Sequence, residues 1–509
     1  MSPGAPSPGG AGPGGPADVA GGFTLGDALA TAALRGERWA QVIEGGRRTS
    51  APGLDAAATR FARELASAGV RPGDRVGLAV RNSSPHLAAM FGAWRAGAAL
   101  VPLNPRLTAG EVEGLLGHAG ATALLEVDER DGACRVRPLG FPRDPSATRE
   151  VAFDGGRPVA GSESVAVIAY TSGTTGRPKG VVLTHANMLW AAAAVVHTRR
   201  DGPRSVAAVV SPLCHNPIFV SHYLARLLSG GTVVLGAFDS ERLARALREH
   251  GVTDLPLVPA MVGPLLATAT REDMERLAKV TVGSALTPME VKQELASRCP
   301  GAEILEAYGQ TESTDGLTMT VGRETLERPG TVGRAHGILA IGVVGKDDAP
   351  LPPGEAGEIV ARGPTVMRGY LDDPAATAAT LRGGWLHTGD LGRLDGDGHL
   401  YITGRLKEII ISGGENVSPE EVEAVLARHP AVAEVAVFGT PHERWGEQVT
   451  AAVVARGDVS REDLAEFARP HLAGFKLPRA LVLVEELPKT SAGKVRRGEL
   501  RERFGLPGR

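Results

Sequence analysis

The chain contains few cysteines. Only three occur in 509 residues, Cys134, Cys214 and Cys299, and their wide separation does not match the spacing of zinc ligands. A secreted fold stapled by disulfides is also excluded, because such folds need many closely spaced cysteines. We therefore expect a cytoplasmic protein without a zinc site or a disulfide framework.

A strong excess of charge of either sign is also absent. Lysine and arginine number 55 and aspartate and glutamate 58, so the formal net charge is −3. No global field then favours nucleic acid or an anionic membrane as a partner. Runs of about 18 apolar residues are missing, so no membrane span is expected. Residues 1–22 are mostly Gly, Pro and Ala. We expect them to form a disordered tail, because they can bury little and lack the features of a secretory signal.

The remaining chain has the composition of a large globular protein. Hydrophobic residues make up 43% of the sequence, and strand-like apolar runs alternate with helix-like stretches. One unit has a strand at 76–80, a helix that begins at 84, where Pro85 suits a first turn, and a strand at 98–103. Further strand-like runs lie at 206–210, 232–235 and 254–259. This alternation predicts an α/β fold of parallel-rich sheets covered by helices.

The pattern changes near residue 405. Residues 408–509 carry a compact succession of helix and strand patterns, with helices at 419–428 and 461–469. About a hundred residues are enough for a separate domain. We therefore predict a large N-terminal domain at 23–404, a hinge at 405–407 and a small, mobile α+β C-terminal domain at 408–509.

Residues 170–180 read Tyr-Thr-Ser-Gly-Thr-Thr-Gly-Arg-Pro-Lys-Gly and follow a strand-like run at 165–169. Glycines let the backbone approach an anion, hydroxyls donate to phosphate oxygens, and the lysine supplies charge. A Walker A loop is excluded, because that pattern places Ser or Thr directly after its lysine. The coincidence of all three residue types disfavours the alternative of an ordinary Gly/Ser/Thr surface loop. The predicted phosphate-binding residues are Thr171, Ser172, Gly173, Thr174, Thr175, Gly176 and Lys179.

This loop resembles the signature of the adenylate-forming superfamily, which includes acyl-CoA synthetases, peptide-synthetase adenylation domains and beetle luciferases. Further motifs of the superfamily follow in order, and the resemblance extends from residue 25 or so to residue 505. In appearance the chain is closest to aryl or acyl acid–CoA ligases. The resemblance implies ATP and Mg²⁺ as cofactors and an acyl-adenylate intermediate.

Two further motifs imply nucleotide contacts. Ala-Tyr-Gly-Gln-Thr-Glu at 307–312 resembles the motif in which the aromatic packs on adenine, the threonine contacts the α-phosphate and the glutamate holds Mg²⁺. These roles fall on Tyr308, Thr311 and Glu312, and oxygen ligands suit a hard cation. Trp-Leu-His-Thr-Gly-Asp at 385–390 implies that Asp390 accepts the ribose hydroxyls. In isolation, Tyr308 fits a half-buried core aromatic and Asp390 a turn residue equally well.

The hinge and the C-terminal motif carry the remaining catalytic cations. Gly-Arg-Leu-Lys at 404–407 implies that Arg405 reaches phosphate or ribose oxygens and that Lys407 is the pivot of a domain rotation. Pro-Lys-Thr-Ser-Ala-Gly-Lys at 488–494 implies that Lys494 bridges the substrate carboxylate and the α-phosphate. Outside such a motif a lone lysine is usually a solvated surface charge. The implied catalytic set is Lys494, Thr311, Glu312 and Arg405.

The acid-binding region departs from the common pattern of the superfamily. Cys214 stands where relatives carry an aromatic, and we interpret it as a small buried hydrophobe. No acidic residue occurs in 211–220, where amino-acid-activating relatives place an aspartate. The small residues near 284 and 307 leave room for a ring, which favours an aryl or arylacrylic acid over a medium-chain fatty acid. The predicted acyl-pocket residues are His215, Asn216, Ser284, Ala285, Ala307 and Gly309.

The thiol acceptor is predicted from a further resemblance. Trp445 corresponds to the tryptophan that stacks on the CoA adenine in CoA ligases, and Phe475 and Lys476 lie where such enzymes hold its phosphates. Gly413 and Gly414 are expected to line the tunnel through which the thiol arrives. The competing interpretation is that Trp445 only packs the small lobe.

The function that the resemblance implies is ATP-dependent activation of a small carboxylic acid, followed by transfer to CoA. Two alternatives remain open. One is an adenylating enzyme that passes its product to a carrier protein or a small non-CoA nucleophile. The other is a non-catalytic nucleotide-binding homologue, although the presence of Glu312 and Lys494 disfavours it.

Overall fold

The computed structural model describes residues 22–129, 132–141, 152–154, 157–159, 161–171, 178–283, 287–406, 408, 410–412, 415–442, 445–490 and 493–505. Almost all of the predicted tail at 1–22 lies outside these ranges. The predicted site residues that also lie outside them are Ser172, Gly173, Thr174, Thr175, Gly176, Ser284, Ala285, Lys407, Gly413 and Gly414.

The helices are distributed along both lobes of the chain. They are α1 (Leu25–Leu34), α2 (Ala51–Ser67), α3 (Ser84–Arg95), α4 (Ala109–His118), α5 (His185–Arg199), α6 (Asn216–Ile218), α7 (Ala225–Ser229), α8 (Ser240–Glu249), α9 (Pro259–Thr268), α10 (Met289–Arg298), α11 (Glu324–Glu327), α12 (Pro374–Thr380), α13 (Pro419–Leu426), α14 (Arg461–Ala468) and α15 (Arg497–Phe504). A π-helical segment, Phe219–Leu224, joins α6 to α7, and short 3-10 turns lie at Thr311–Ser313, Lys346–Asp348, Arg382–Gly384 and Gly474–Lys476.

The strands are β1 (Val42–Glu44), β2 (Arg47–Thr49), β3 (Arg75–Ala79), β4 (Ala99–Leu103), β5 (Ala123–Val127), β6 (Cys134–Pro138), β7 (Ala152–Asp154), β8 (Arg157–Val159), β9 (Val165–Thr171), β10 (Lys179–Thr184), β11 (Val206–Val209), β12 (Thr232–Leu235), β13 (Asp254–Leu257), β14 (Lys279–Val282), β15 (Glu303–Gly309), β16 (Gly316–Met319), β17 (Arg334–Ala335), β18 (Ala340–Val344), β19 (Gly357–Arg362), β20 (Gly369–Tyr370), β21 (Leu386–Leu394), β22 (Leu400–Arg405), β23 (Ile410–Ser412), β24 (Glu415–Val417), β25 (Val432–His442), β26 (Gly446–Ala455) and β27 (Ala480–Leu483).

The large lobe is built on two mixed sheets with parallel centres. The first has the order β17-β16-β15-β14-β13-β11-β12-β1-β2, and its strands from β15 to β1 are parallel. The second has the order β20-β10-β9-β4-β3-β5-β6, with β9, β4, β3 and β5 parallel. Helices connect the parallel strands, which confirms the predicted α/β class. A third sheet, β18-β19-β21-β22, is antiparallel and was not predicted.

The C-terminal lobe has its own sheet. Its order is β24-β23-β26-β25, with β27 parallel to β26, and α13, α14 and α15 pack near it. This small α+β unit agrees with the predicted class. The third sheet of the large lobe ends at Arg405, and the next strand, which begins at Ile410, already belongs to the C-terminal sheet.

Local rules explain most helix starts. The predicted start of α3 is confirmed, since the Ser83 hydroxyl accepts the backbone N–H of His86 and Pro85 lies in the first turn. The predicted strand at 254–259 is too long, because β13 ends at Leu257 and Pro259 begins α9. Pro259 suits a first helical turn, where a backbone N–H would have no partner within the helix.

The hydrophobic core between the first helices and the two large sheets is closely packed. Phe61 of α2 and Phe91 and Trp94 of α3 are fully or almost fully buried, and the Trp94 indole donates to the carbonyl of Ala166 at 2.8 Å. Gly92 permits the approach of α2 and α3, since a Cβ there would lie 2.5 Å from the Phe61 Cβ. Burying each of these aromatic side chains stabilises the fold by about 1.5–3 kcal/mol.

Buried charges tie the first sheet to the helices behind the acid-binding region. Arg199 of α5 and Arg226 of α7 both pair with Asp254 of β13, and Arg226 also pairs with Asp201. Lys279 Nζ lies 3.1 Å from Asp201. Burial alone would raise the pKa of Asp254, but the two arginines outweigh it and lower that pKa to about 2. Breaking one such buried pair typically destabilises a protein by about 3–5 kcal/mol.

Candidate active site

Three side chains from three strands meet at the end of the antiparallel sheet. Tyr308 lies near the end of β15, Asp390 lies in β21, and Arg405 ends β22. The strand pairing sets Asp390 opposite Arg405, whose Nε lies 2.7 Å from Asp390 Oδ1. The Tyr308 hydroxyl donates to Asp390 Oδ2 at 2.7 Å. The carboxylate is thus fixed in orientation, while each oxygen retains acceptor capacity for a further hydroxyl.

The electrostatics of this trio keep the Tyr308 hydroxyl protonated. Burial, and then the adjacent Asp390 carboxylate, raise the pKa of Tyr308 well above its ordinary value. Burial would lower the pKa of Arg405, but Asp390 and Glu408 outweigh burial and raise it. The trio therefore offers a carboxylate suited to hydroxyl donors and a guanidinium suited to phosphate or hydroxyl oxygens.

The predicted metal ligand, Glu312, lies on the short turn Thr311–Ser313 together with Thr311. The Glu312 carbonyl accepts from the Met367 backbone N–H at 2.8 Å, and Glu312 Oε1 accepts from the Tyr370 hydroxyl at 2.8 Å. A carboxylate oriented in this way fits Mg²⁺, which prefers oxygen ligands and completes its shell with phosphate oxygens and water. The donor chemistry of the site therefore suits a nucleotide-bound magnesium ion.

The described ends of the predicted phosphate loop lie beside each other and next to this turn. Thr171 ends β9 and pairs with Lys179, which begins β10. Lys179 Nζ lies 4.5 Å from the centroid of the Tyr370 ring, the same ring whose hydroxyl binds Glu312. Tyr370 thus contacts both the ammonium group of Lys179 and the carboxylate of Glu312. A cation and a carboxylate close together suit a magnesium–phosphate complex.

Lys494 comes to this site from the small lobe. Its backbone N–H donates to Thr490 Oγ1 at 3.2 Å within a tight turn. The residue as a whole is solvent-accessible, but its ammonium group is partly desolvated. This desolvation, and then Arg405, lower the pKa of Lys494, while Asp390, Glu408 and Glu312 act in the opposite direction. The Lys494 ammonium therefore interacts electrostatically with Arg405, Asp390 and Glu312.

The acid-binding region lies beside Lys494. Burial, and then the Lys494 charge, lower the pKa of His215, which keeps the imidazole neutral. Asn216 Nδ2 donates to the carbonyl of Thr314 at 2.6 Å, and Thr314 has an unusual φ of 69°. These contacts connect the start of α6 to the turn that carries Glu312. Cys214 is largely buried, and burial raises the pKa of its thiol to about 12, so the thiol is not a nucleophile at neutral pH.

Ala307 and Gly309 are in β15, on either side of Tyr308. A Cβ at Gly309 would lie 2.3 Å from the carbonyl oxygen of Asp315, so the close approach of β15 and β16 needs a glycine there. Gly309 therefore permits the close pairing of β15 with β16.

The described residues of the predicted CoA site, Trp445, Phe475 and Lys476, lie on the small lobe. The Arg479 guanidinium lies 4.4 Å from the Trp445 ring centroid, and the rings of Trp445 and His442 are 6.5 Å apart. Phe475 and Lys476 share the turn Gly474–Lys476. Lys476 Nζ lies 2.6 Å from both carboxylate oxygens of Glu421, so a phosphate must compete with an ion pair for this lysine.

Sequence reasoning did not find Tyr370 or the Asn216–Thr314 contact. Tyr370 stands in an ordinary Gly-Tyr-Leu stretch, and only the pairing of β20 with β10 brings it to the site. Two acidic–histidine clusters elsewhere in the described residues, one around His387 and one around His399, resemble metal sites by proximity. Arg382 pairs with the first cluster and Arg328 with the second, so an arginine already balances each group of carboxylates.

No described helix is both long and apolar enough to cross a membrane.

Two sequence-family descriptions match the chain. Residues 29–371 match "AMP-binding enzyme" and residues 421–494 match "AMP-binding enzyme C-terminal domain".

Curated relatives cover nearly the whole chain. A feruloyl-CoA synthase from Amycolatopsis sp. is 37% identical over 91% of this chain and 96% of its own length. An indoleacetate–CoA ligase from Aromatoleum aromaticum is 34% identical over 87% of this chain and 91% of its own length.

Solved structures of similar proteins share the fold. The o-succinylbenzoate CoA synthetase of Bacillus subtilis, in complex with its acyl-adenylate intermediate, has a TM-score of 0.83 and 30% identity, and covers 93% of this chain and 97% of its own. ATP-bound MatB from Rhodopseudomonas palustris has a TM-score of 0.84 and 28% identity, and covers 95% of this chain and 99% of its own. These likenesses confirm the predicted resemblance and the two-lobed fold.

Proposed function

This chain belongs to the AMP-binding enzyme family, and we propose that it is an AMP-forming acid–CoA ligase specific for an aryl or arylacrylic acid. The observation that carries the proposal is the electrostatic coupling of Lys494, a residue of the small lobe, to Glu312, Asp390 and Arg405. A domain that merely binds nucleotide has no need for a cation delivered from a second lobe.

In the first half-reaction the substrate carboxylate oxygen attacks the α-phosphorus of ATP. A bond forms between the carboxyl oxygen and phosphorus, and pyrophosphate leaves with the electron pair of the broken P–O bond. Two anions must approach each other, so the barrier falls when cations are fixed where the charge concentrates. Lys494 and Arg405 act at the α-phosphate, Thr311 donates a hydrogen bond there, and Lys179 holds the leaving pyrophosphate.

We assign the remaining polar residues of the site to nucleotide binding. Asp390 accepts the ribose hydroxyls, and Tyr308 supports the adenine while its hydroxyl orients Asp390. Glu312 would hold Mg²⁺, which supplies charge neutralisation at the phosphates when bound. The hydroxyls and glycines of 171–176 complete the phosphate cradle.

In the second half-reaction the CoA thiol attacks the carbonyl carbon of the acyl-adenylate. A C–S bond forms, the thiol loses its proton to solvent, and AMP leaves with the electron pair of the bond between the acyl carbon and the bridging oxygen. We assign Trp445, Phe475 and Lys476, with Gly413 and Gly414, to CoA. We assign Lys407 to the pivot about which the small lobe rotates, so that a different face of this lobe meets the site in the second half-reaction. In this assignment CoA phosphates displace Glu421 from Lys476.

The proposed acid class rests on the pocket and on the relatives. Burial, and then the Lys494 charge, lower the pKa of His215, and the small side chain of Ala307 favours a flat ring near the reacting carboxylate. The named relatives act on feruloyl and indoleacetate groups, both of which carry an aromatic ring. A cytoplasmic location suits the supply of ATP and CoA, and the cysteines of the described residues are free thiols.

Thioester formation over a panel of acids tests the function. The panel contains cinnamic, arylacetic, benzoic and straight-chain acids of six to ten carbons, each with ATP and Mg²⁺, with and without CoA. We expect CoA-dependent AMP release and an acyl-CoA product, with kcat/KM highest for a ring-containing acid. AMP release with no dependence on CoA would instead support a carrier protein or another nucleophile, and highest kcat/KM for a straight-chain acid would refute the aryl assignment.

A further inference from the structure

The strand β20 connects the two parts of the site that handle the phosphates. Its pairing places Tyr370 opposite Val181 of β10, two residues after Lys179. The Leu371 backbone N–H donates to the carbonyl of Gly180 at 2.7 Å. On the other side, the Met367 N–H donates to the carbonyl of Glu312 at 2.8 Å. Residues 367–371 therefore hold the metal-binding turn and the end of the phosphate loop at a fixed separation.

The side chain of Tyr370 makes the same connection. Its hydroxyl donates to Glu312 Oε1 at 2.8 Å, and its ring lies 4.5 Å from Lys179 Nζ. The backbone of Tyr370 is itself fixed, because its N–H donates to Thr377 Oγ1 at 2.9 Å in α12. One rigid aromatic side chain thus contacts both charged groups, one through a hydrogen bond and the other through a cation–π interaction.

We propose that Tyr370 is a positioning residue of the adenylation site, with its hydroxyl orienting Glu312 for the metal and its ring holding Lys179 for the leaving pyrophosphate. This inference rests on the proposed function, because it assumes that Glu312 and Lys179 hold the magnesium–phosphate complex. It goes further by giving the two contacts of Tyr370 separable roles.

The orientation has a physical reason. A carboxylate that rotates freely has to lose rotational freedom when it binds a metal, and a hydrogen bond made beforehand removes part of that cost. Tyr370 is partly buried, packs against the hydrophobic core and borders a cleft of about 650 Å³, and Tyr370→Phe keeps this packing.

Two substitutions separate the roles of the hydroxyl and the ring. Tyr370→Phe removes the hydrogen bond to Glu312 and keeps the ring beside Lys179, whereas Tyr370→Leu removes both contacts. Tyr401→Phe is the matched control, because the Tyr401 hydroxyl also lies near a carboxylate, at 3.3 Å from Asp395 Oδ2, and its ring also carries a cation, with Arg393 at 4.2 Å.

Binding and half-reaction measurements follow from this design. Mn²⁺ binding to each variant, with a non-hydrolysable ATP analogue present, is measured by electron paramagnetic resonance. ATP–pyrophosphate exchange gives kcat and the KM for pyrophosphate. Thioester formation from supplied acyl-adenylate and CoA gives the second half-reaction.

We expect Tyr370→Phe to weaken Mn²⁺ binding and to slow exchange, each by about 10-fold, the size of one hydrogen bond to a charged group. The KM for pyrophosphate should stay within about 2-fold of the original value, since the ring beside Lys179 is kept. Tyr370→Leu should in addition raise that KM by about 3- to 10-fold, in line with the loss of a partly desolvated cation–π contact. Thioester formation should be unchanged in both variants, and Tyr401→Phe should match the unaltered enzyme in every measurement.

Unchanged Mn²⁺ binding in Tyr370→Phe, or equal slowing of both half-reactions, would overturn the inference. Glu312→Gln distinguishes this failure from failure of the proposed function. If Glu312→Gln abolishes Mn²⁺ binding while Tyr370→Phe leaves it intact, only the role of Tyr370 is wrong. If Glu312→Gln also leaves Mn²⁺ binding and exchange intact, the metal assignment of the proposed function is wrong too.

Discussion

Removing the Lys494 ammonium should separate the two half-reactions of this enzyme. The change is Lys494→Ala, which deletes a cation of the small lobe that interacts electrostatically with Glu312, Asp390 and Arg405. A charge or donor placed where charge develops in the transition state is typically worth about 3–4 kcal/mol. At 1.36 kcal/mol for each factor of ten, adenylation should slow by about 100- to 1,000-fold.

The second half-reaction should escape this loss. It has no attack of one anion on another, because a thiol attacks a carbonyl that is already activated. Under the domain-rotation hypothesis Lys494 has also left the site by then. Thioester formation from supplied acyl-adenylate and CoA should therefore stay within about 3-fold of the original rate, a difference below about 0.7 kcal/mol.

The assay compares single-turnover formation of acyl-adenylate with single-turnover formation of the thioester. Lys489→Ala is the matched control, because Lys489 belongs to the same motif but its Nζ lies 2.6 Å from Glu434 Oε2 within the small lobe. Equal losses in both half-reactions of Lys494→Ala would refute the reasoning. A loss of similar size in Lys489→Ala would refute it too, since the effect would then belong to the fold of the motif.

Three further changes test other parts of the account. Asp390→Asn should weaken ATP binding by about 10- to 100-fold, the loss of one hydrogen bond to a charged group or slightly more, as measured by calorimetry; unchanged affinity would remove Asp390 from the ribose site. Trp445→Ala should raise the KM for CoA by about 5- to 100-fold, the range of one base–aromatic stack, without slowing adenylation; Trp190→Ala, on an exposed tryptophan of α5, is its control. His185 is 1% exposed, and burial lowers its pKa to about 4, so the folded state keeps it neutral while the unfolded chain is protonated below pH 6.5. Its stabilising contribution is thus present above pH 6.5 and is lost as pH falls towards 4. Between pH 7 and pH 5 the free energy of unfolding of the original chain should therefore fall by about 2 kcal/mol more than that of the His185→Asn variant. Urea unfolding at both pH values measures this difference, and identical pH profiles would contradict the assignment.

The parallel sheets could be predicted because each strand is followed by a helix that returns the chain to the same sheet edge. The run at 76–103 shows this directly, and it became β3, α3 and β4. The antiparallel sheet from β18 to β22 escaped prediction, because its strands are half-exposed and follow one another without a helical pattern between most of them. The end of β13 was misplaced, since Val258 and Pro259 fit the apolar run by composition, whereas Pro259 begins α9.

The chemistry of the site could be predicted only where a motif keeps its residues close in sequence. Tyr308 and Asp390 were both proposed for the nucleotide, but their hydrogen bond spans 82 residues and leaves no local signal. The same holds for Lys476, whose ion pair with Glu421 lies 55 residues away along the chain. Tyr370 was missed for this reason, since nothing near it in the sequence indicates that β20 lies beside β10.

Transfer of oxygen from the acid to AMP tests the central claim most directly. The enzyme is given its best aryl acid labelled with ¹⁸O in the carboxylate, together with ATP, Mg²⁺ and CoA, and the products are analysed by mass spectrometry. The account predicts one ¹⁸O in AMP for each acyl-CoA formed and none in pyrophosphate. AMP without ¹⁸O, or ¹⁸O in inorganic phosphate together with ADP, would contradict an acyl-adenylate intermediate.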